Sequence, residues 1–203
     1  MELPQVEEIL TRLYSQFSGH AIARSEKKRM GREEDSTTYG EVKPASFQQL
    51  VSAASPQEGE VFIDLGSGMG QPVLMAAMLF PFRRVVGVEL LTGLGDAARQ
   101  ALSRYDTEIR PTLPAEHQAQ RIEFLDGDML EVDLSEVDVA FAQAPCFEPG
   151  LMAKLAVKLE GLKPGARVII AGQPLPSGEF NQIGMKVMKA NWGTALTYLY
   201  QRR

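Results

Sequence analysis

The chain has 203 residues, of which 44% are hydrophobic and 23% charged; that balance fits one ordered globular domain with a sizeable core and excludes a low-complexity or fibrous chain. Lysine and arginine total 21 against 26 aspartates and glutamates, so the net charge of −5 speaks against a dedicated nucleic-acid binder. The lone cysteine, Cys146, rules out an internal disulfide and fits a reducing compartment: a cytoplasmic location is expected, or a nuclear one if the source is eukaryotic.

Met1–Glu8 is acidic and amphipathic and does not read as a signal peptide, and no apolar run reaches membrane-spanning length. Val6, Ile9, Leu10, Leu13, Tyr14 and Phe17 recur at helical spacing, which predicts a helix over 5–17. Residues 18–38 are polar and mixed in charge, and read as a mobile connector. They hold the one basic cluster, Arg24, Lys27, Lys28, Arg29 and Arg32, followed at once by Glu33, Glu34 and Asp35. A solvated, charge-balanced loop accounts for it; a short contact site for phosphate or an acidic partner is the sharper reading. Pro44 opens the next helix, which runs through Phe47, Leu50 and Val51.

From residue 60 the pattern alternates, with strands expected at 60–65, 84–88, 121–125, 137–142 and 166–171 and helices at 71–79, 92–105 and 149–160. Such alternation implies a parallel sheet with right-handed crossovers. The end differs: Met185–Trp192 and Thr194–Tyr200 are separated only by Gly193, so they must form an antiparallel hairpin. There is no internal repeat. Residues 1–40 read as an N-terminal helix and connector or lid extension, and 41–203 as the main domain. His20 and His117 are too few and too far apart for a zinc motif and are assigned to the surface; no metal is expected.

The chemistry-bearing run is Val61-Phe62-Ile63-Asp64-Leu65-Gly66-Ser67-Gly68-Met69-Gly70-Gln71, followed at strand–helix–strand distance by Val85-Val86-Gly87-Val88-Glu89. An apolar strand ends on a carboxylate, turns through three glycines and enters an apolar helix; the next strand again ends on a carboxylate. Small residues let the backbone approach a ligand, a helix N-terminus faces anionic groups, and the second carboxylate can hold two ribose hydroxyls. A dinucleotide site would space its glycines Gly-x-Gly-x-x-Gly. Here Gln71 stands at the third position and Asp64 precedes the loop. S-adenosylmethionine (SAM) suits this better, since its ammonium and carboxylate need one acidic side chain and backbone N–H groups rather than a pyrophosphate cradle. A nicotinamide or flavin cofactor is the alternative, and a plain strand-to-helix turn would leave Asp64 and Glu89 unexplained.

A parallel sheet closed by a hairpin resembles the Rossmann-like α/β architecture of class I, seven-stranded SAM-dependent methyltransferases. That resemblance implies that the last strand inserts between strands five and six. Tyr39-Gly40-Glu41 before the Pro44 helix, Asp64-Leu65-Gly66-Ser67-Gly68-Met69-Gly70-Gln71, Gly127-Asp128-Met129, the stretch from Asp138 to Phe147 with Pro149, and Trp192-Gly193 narrow it further. Over about residues 36–200 the chain resembles the non-SET histone-lysine methyltransferases of the disruptor-of-telomeric-silencing (DOT) family. The resemblance implies that Tyr39, Gly40, Glu41 and Val42 fold over the methionine end of SAM, and that Asp64, Gly66, Ser67, Gly68 and Gln71 line that end. It implies that Glu89 holds the ribose, Asp128 accepts from the adenine amino group and Met129 packs on the ring. An ordinary turn also accounts for Tyr39-Gly40-Glu41 and for Gly127-Asp128, and core packing for Met129.

The chain departs from the family at the acceptor position. Gln143-Ala144-Pro145-Cys146-Phe147 replaces an Asn-Asn-Phe-Ala-Phe-like segment, so the amide is one methylene longer and Pro145 replaces an aromatic wall. Gln143, Phe147 and Tyr198 are the expected amine-facing residues, with Trp192 a further candidate wall; Trp192 and Tyr198 serve equally well as core, and Cys146 reads as a small buried filler. A lysine nucleophile must be neutral, and an apolar channel lowers its pKa by desolvation. The expected function is a DOT-like protein-lysine N-methyltransferase, monomeric, acting on a histone or another basic protein, with nucleic acid weakly supported and no membrane partner. A small-molecule or RNA methyltransferase and a non-catalytic SAM-binding module are the alternatives.

Overall fold

The computed structural model, which describes residues 1–31 and 39–203, gathers its strands into one seven-stranded sheet. In chain order they are β1 (Val61–Leu65), β2 (Arg84–Glu89), β3 (Arg121–Asp126), β4 (Val139–Gln143), β5 (Arg167–Ala171), β6 (Phe180–Ala190) and β7 (Gly193–Arg202). The spatial order is β3-β2-β1-β4-β5-β7-β6. The first five pair in parallel, and β7 runs antiparallel between β5 and β6, as the resemblance implied. Chain order reverses between β1 and β4, so a crevice opens at their carboxyl ends. Register brings Asp64 level with Gly87 and Phe141, Glu89 level with Asp126, and Gln143 level with Ala171.

The helices are α1 (Leu3–Tyr14), α2 (Gly19–Met30), α3 (Pro44–Ala53), α4 (Gln71–Leu79), α5 (Thr92–Glu108), the short α6 (Ala115–Gln118) and α7 (Pro149–Leu159). One sheet face packs with α1, α3, α4 and α5, where Phe47 meets Phe62 and Phe141 edge-on at 6.0 and 5.5 Å. The other face is covered by α7, through Met152, Leu155, Ala156 and Leu159. Helix α4 is buried from Pro72 to Met78, as an all-apolar helix must be.

Of the connector expected over 18–38, the described part is helical instead. Residues 32–38, with Arg32, Glu33, Glu34, Asp35, Thr37 and Thr38, lie outside the described residues, but 19–30 form α2. Ser18 caps its start by accepting the Ala21 N–H, and Gly31 ends it at φ 61°, donating to Lys27 and Lys28 carbonyls. Its carboxylate Glu26 accepts the Gly93 N–H and the Thr92 hydroxyl, and so caps α5 from outside. Helix α1 ends at Tyr14, earlier than expected, and buries Val6, Leu10, Leu13 and Tyr14 in the same core as α3 and α4. Strand β4 starts at Val139 because Val137 closes a turn on Leu134 and the Asp138 carboxylate takes the Val61 N–H. The hairpin is longer than expected, since β6 begins at Phe180 and passes a bulge between Gln182 and Gly184. His117 is half-buried rather than on the surface, with Nδ1 2.7 Å from the Ala77 carbonyl oxygen.

Candidate cofactor and acceptor site

A cavity of about 510 Å³ lies over the carboxyl ends of β1, β2, β3 and β4. It is lined by Tyr39, Gly40, Glu41, Gly66, Ser67, Gly68, Gln71, Glu89, Asp128, Met129, Gln143 and Phe147, which brings together most of the residues singled out in the sequence. Gly66, Gly68 and Gly70 all have positive φ (88°, 55° and 80°), so the turn from β1 into α4 needs three residues without a Cβ penalty. Gly68 is also a point of close approach: a Cβ there would sit 2.8 Å from the Tyr39 ring. A Cβ on Gly66 would meet nothing within 4 Å, which leaves that side open to a ligand.

Glu89 ends β2 and fastens this loop. Its carboxylate accepts the Gly68 N–H at 2.8 Å and the Leu91 N–H at 2.9 Å. Burial raises its carboxyl above the ordinary range, and the N–H groups of Leu91 and Gly68 partly offset that. A carboxylate offers about four acceptor sites, so capacity remains for hydroxyl donors from the cavity. Asp64 lies beneath the loop, 1% exposed and outside the cavity lining, and its Oδ2 has no hydrogen-bond partner. Burial first, then the charge of Glu89, pushes the Asp64 carboxyl well above its usual range. Ser67 Oγ is likewise buried without a partner. These orphaned acceptors, the open side of Gly66 and the Glu89 carboxylate suit a nucleoside carrying a cationic group.

The segment before α3 forms one wall. The Tyr39 hydroxyl donates to Glu41 Oε1 at 2.5 Å, and burial, then the Glu41 charge, raises the Tyr39 phenol. Tyr14 from α1 donates to the Met69 carbonyl at 2.9 Å inside the glycine loop, a tie from outside the expected site. Gly40 admits Trp192, since a Cβ there would lie 2.3 Å from the indole; Trp192 lines the cavity. Val42 does not: it is buried and bridges Ala190 of β6. With Lys43 N–H to Lys189 O and Asn191 N–H to Glu41 O, both 2.9 Å, it fastens the wall to the hairpin. Amide hydrogen exchange should therefore slow on adding cofactor at Tyr39 and Gly40 if they cover it, while Asn191 and Lys43 should be slow throughout. Fast exchange at Lys43 without cofactor would show that the whole segment moves.

On the opposite side, Asp128 lines the cavity and its Oδ1 accepts the Leu130 N–H at 2.9 Å. Leu90, Leu91 and Leu94, which follow Glu89, give this end an apolar floor that sequence reading missed, although their spacing at the start of α5 signals it. At the end of β4, Gln143 Oε1 is buried and has no partner. Phe147 lines the same cavity, and so do Pro145, Glu148 and Lys154, the last two set by the first turns of α7. Tyr198 lies outside the lining: strand alternation places it beside Tyr200 (ring centroids 6.4 Å apart) on the α7 face, where Phe147 also packs. Cys146 is half-buried, not a core filler. Among the described residues no cluster of histidine, cysteine and acidic side chains could hold a metal ion. No described helix is long and apolar enough to cross a membrane.

The pattern of the family described as "Histone methylation protein DOT1" matches residues 19–194. The chain belongs to the DOT1 family. Within it, the chain is similar to an H3 lysine-79 specific histone-lysine N-methyltransferase of Aspergillus fumigatus, at 26% identity over 180 residues, covering 88% of this chain and 35% of the relative. The counterpart in Emericella nidulans is 25% identical over 201 residues, covering 98% and 38%. The chain thus spans little more than a third of these relatives. Among solved structures, it resembles an RNA methyltransferase from Salinibacter ruber bound to S-adenosyl-L-homocysteine (TM-score 0.60, 25% identity, covering 78% of this chain and 90% of that one). It also shares its fold with TrmN from Thermus thermophilus (TM-score 0.62, 22% identity, covering 80% and 49%). The DOT1 match begins at Gly19, so α1, with its Tyr14 tie, lies outside the matched span.

The ribose assignment has a direct test. If Glu89 holds the ribose, Glu89→Ala removes that acceptor together with the tie to Gly68 and should lower SAM affinity about tenfold or more, at roughly 1.5–3 kcal/mol for a charge-assisted bond. Calorimetry that returns the wild-type affinity would move the ribose elsewhere.

Proposed function

We propose that this DOT1-family protein is a SAM-dependent protein-lysine N-methyltransferase whose acceptor is a basic protein, a histone being the first candidate. The observation that carries the reading is Gln143 Oε1, a buried acceptor without a partner on the wall of the cavity that would hold SAM. Buried polar groups are nearly always paired, so an unpartnered acceptor on a side chain that lines the cavity can take a donor once the side chain turns to it, and an amine is one. SAM supplies an electrophilic methyl group. Asp64, the glycine loop, Gln71 and Glu41 would hold its amino-acid end, Glu89 its ribose and Asp128 with Met129 its adenine.

The chain's own residues then do three things. Gln143 aligns the amine through its carbonyl oxygen. Phe147, Pro145 and Trp192 keep water away, which favours the neutral amine over the ammonium. The aromatic faces of Phe147 and Trp192 also attract the cationic groups that enter and leave. Direct displacement needs positioning and no covalent enzyme intermediate. The protein works as a monomer, and a histone acceptor would place the reaction in the nucleus, a compartment as compatible with a free Cys146 as the cytoplasm. Incubation with tritiated SAM and a proteome lysate, followed by amino-acid analysis, yields labelled methyl-lysine. Label confined to RNA or small molecules would transfer the same cofactor site to the alternative acceptors, and no label at all would leave a binding module.

A further inference from the structure

The acceptor wall is an irregular segment, and its shape depends on a side chain outside it. Residues 144–147 belong to neither β4 nor α7, and their own bond, Phe147 N–H to Ala144 O, is long at 3.3 Å. Gln173, just beyond β5, donates from Nε2 to the Ala144 carbonyl at 3.1 Å and to the Phe147 carbonyl at 2.6 Å. The segment is thereby clasped at both ends by one amide, whose two N–H groups match two carbonyls. The neighbouring backbone is in direct contact. Gly172 has φ +107°, and a Cβ there would sit 2.5 Å from Pro145 Cα. Ala144 N–H donates to Ala171 O and Gly172 N–H to Leu196 O, both at 2.8 Å, so the clasp is anchored on two strands of the sheet. Gln173 does not line the cavity.

We propose that Gln173 is a positioning residue for methyl transfer: it fixes the 144–147 segment so that Phe147 and Gln143 face the acceptor amine. The proposal rests on the lysine methyltransferase reading. It acts through Phe147, so its loss affects turnover and amine protonation rather than SAM binding, which involves the other side of the cavity. Gln173→Glu keeps the size but turns both donors into acceptors that face carbonyl oxygens. Gln173→Lys restores N–H donors and offers no acceptor.

The experiment compares wild type, Gln173→Glu and Gln173→Lys in the lysate assay with SAM titrated, from about pH 7 to about pH 10, the span in which a lysine amine loses its proton. Hydrogen exchange at residues 146–148 is followed in parallel. The glutamate variant should lose about tenfold in maximal rate with an apparent KM for SAM within about twofold, as expected when alignment is lost and cofactor contact is kept. Its pH optimum should move upward and exchange at 146–148 quicken, and the lysine variant should recover most of the rate. Gln173→Ala gives the same comparison without added charge if the glutamate variant does not fold. A glutamate or alanine variant with wild-type rate and pH optimum overturns the proposal, and so does a lysine variant as slow as the glutamate one. Absence of labelled lysine with wild-type protein defeats the underlying reading instead; exchange at 146–148 then decides the clasp alone, and no change there removes it as well.

Discussion

Asp64→Asn should stabilise the cofactor-free protein at neutral pH while lowering SAM affinity roughly 10- to 100-fold, the value of one hydrogen bond to a charged group. The two effects share one cause. Asp64 is 1% exposed and its Oδ2 has no partner. Burial, and after it the Glu89 charge, raises its carboxyl well above the ordinary range. A carboxyl raised on folding contributes stability that is complete below its unfolded pKa and is lost as pH rises through the folded value. Burial thus disfavours the ionised form of Asp64 in the free protein, so stability is lost as pH rises, and the amide, which does not titrate, removes that loss. Melting of the free variant should exceed wild type at pH 7 and approach it in acid. On the proposed reading the ammonium of SAM supplies the missing partner in wild type, so added SAM should raise the wild-type melting temperature strongly and the variant's little. A variant less stable than wild type at pH 7, yet binding SAM normally, would show that Asp64 is held by contacts within the protein and not reserved for a cation.

Most of this geometry was legible because it depends on local rules. A strand that ends on a carboxylate before alternating glycines can fold in few ways, and the same layout places Glu89 on the neighbouring strand tip. Gln143 follows from the end of β4 and from the family's asparagine. What stayed hidden has physical reasons. Among the described side chains of α2 only Ala23 and Ile22 pack into the apolar core, too sparse a stripe to show through five charges, while its caps, Ser18 and Gly31, are common residues. Tyr198 shares the α7 face of the sheet with Phe147, but it lies in β7 beside Tyr200 and outside the cavity lining, a placement that the sequence does not show. Val42 has the right neighbours, yet its backbone is committed to Ala190. Gln173 carries no motif at all. Its role arises only where the exits of β4 and β5 meet, a contact between residues far apart in the chain.

Gln143→Ala should lower the methyl-transfer rate on lysine about 100-fold with SAM affinity unchanged within a few-fold, because it removes alignment and not cofactor contact. The amide oxygen is the orphaned acceptor on the cavity wall, and alanine leaves an apolar wall with no handle for the amine. Phe147→Ala should act differently. It opens the channel to water, so the acceptor amine recovers its reference pKa of about 10.4 and fewer molecules are neutral at a given pH. Rate is then lost most at neutral pH and regained as pH rises, which moves the optimum upward. Gln143→Ala keeps the hydrophobic wall and so keeps the pH profile while its height falls. Measuring labelled lysine from about pH 7 to about pH 10 separates the two tasks within one experiment, since the span covers the amine's titration. Wild-type rates in both variants would take the acceptor away from the end of β4, and an identical pH shift in both would mean that Gln143 excludes water rather than aligning the nucleophile.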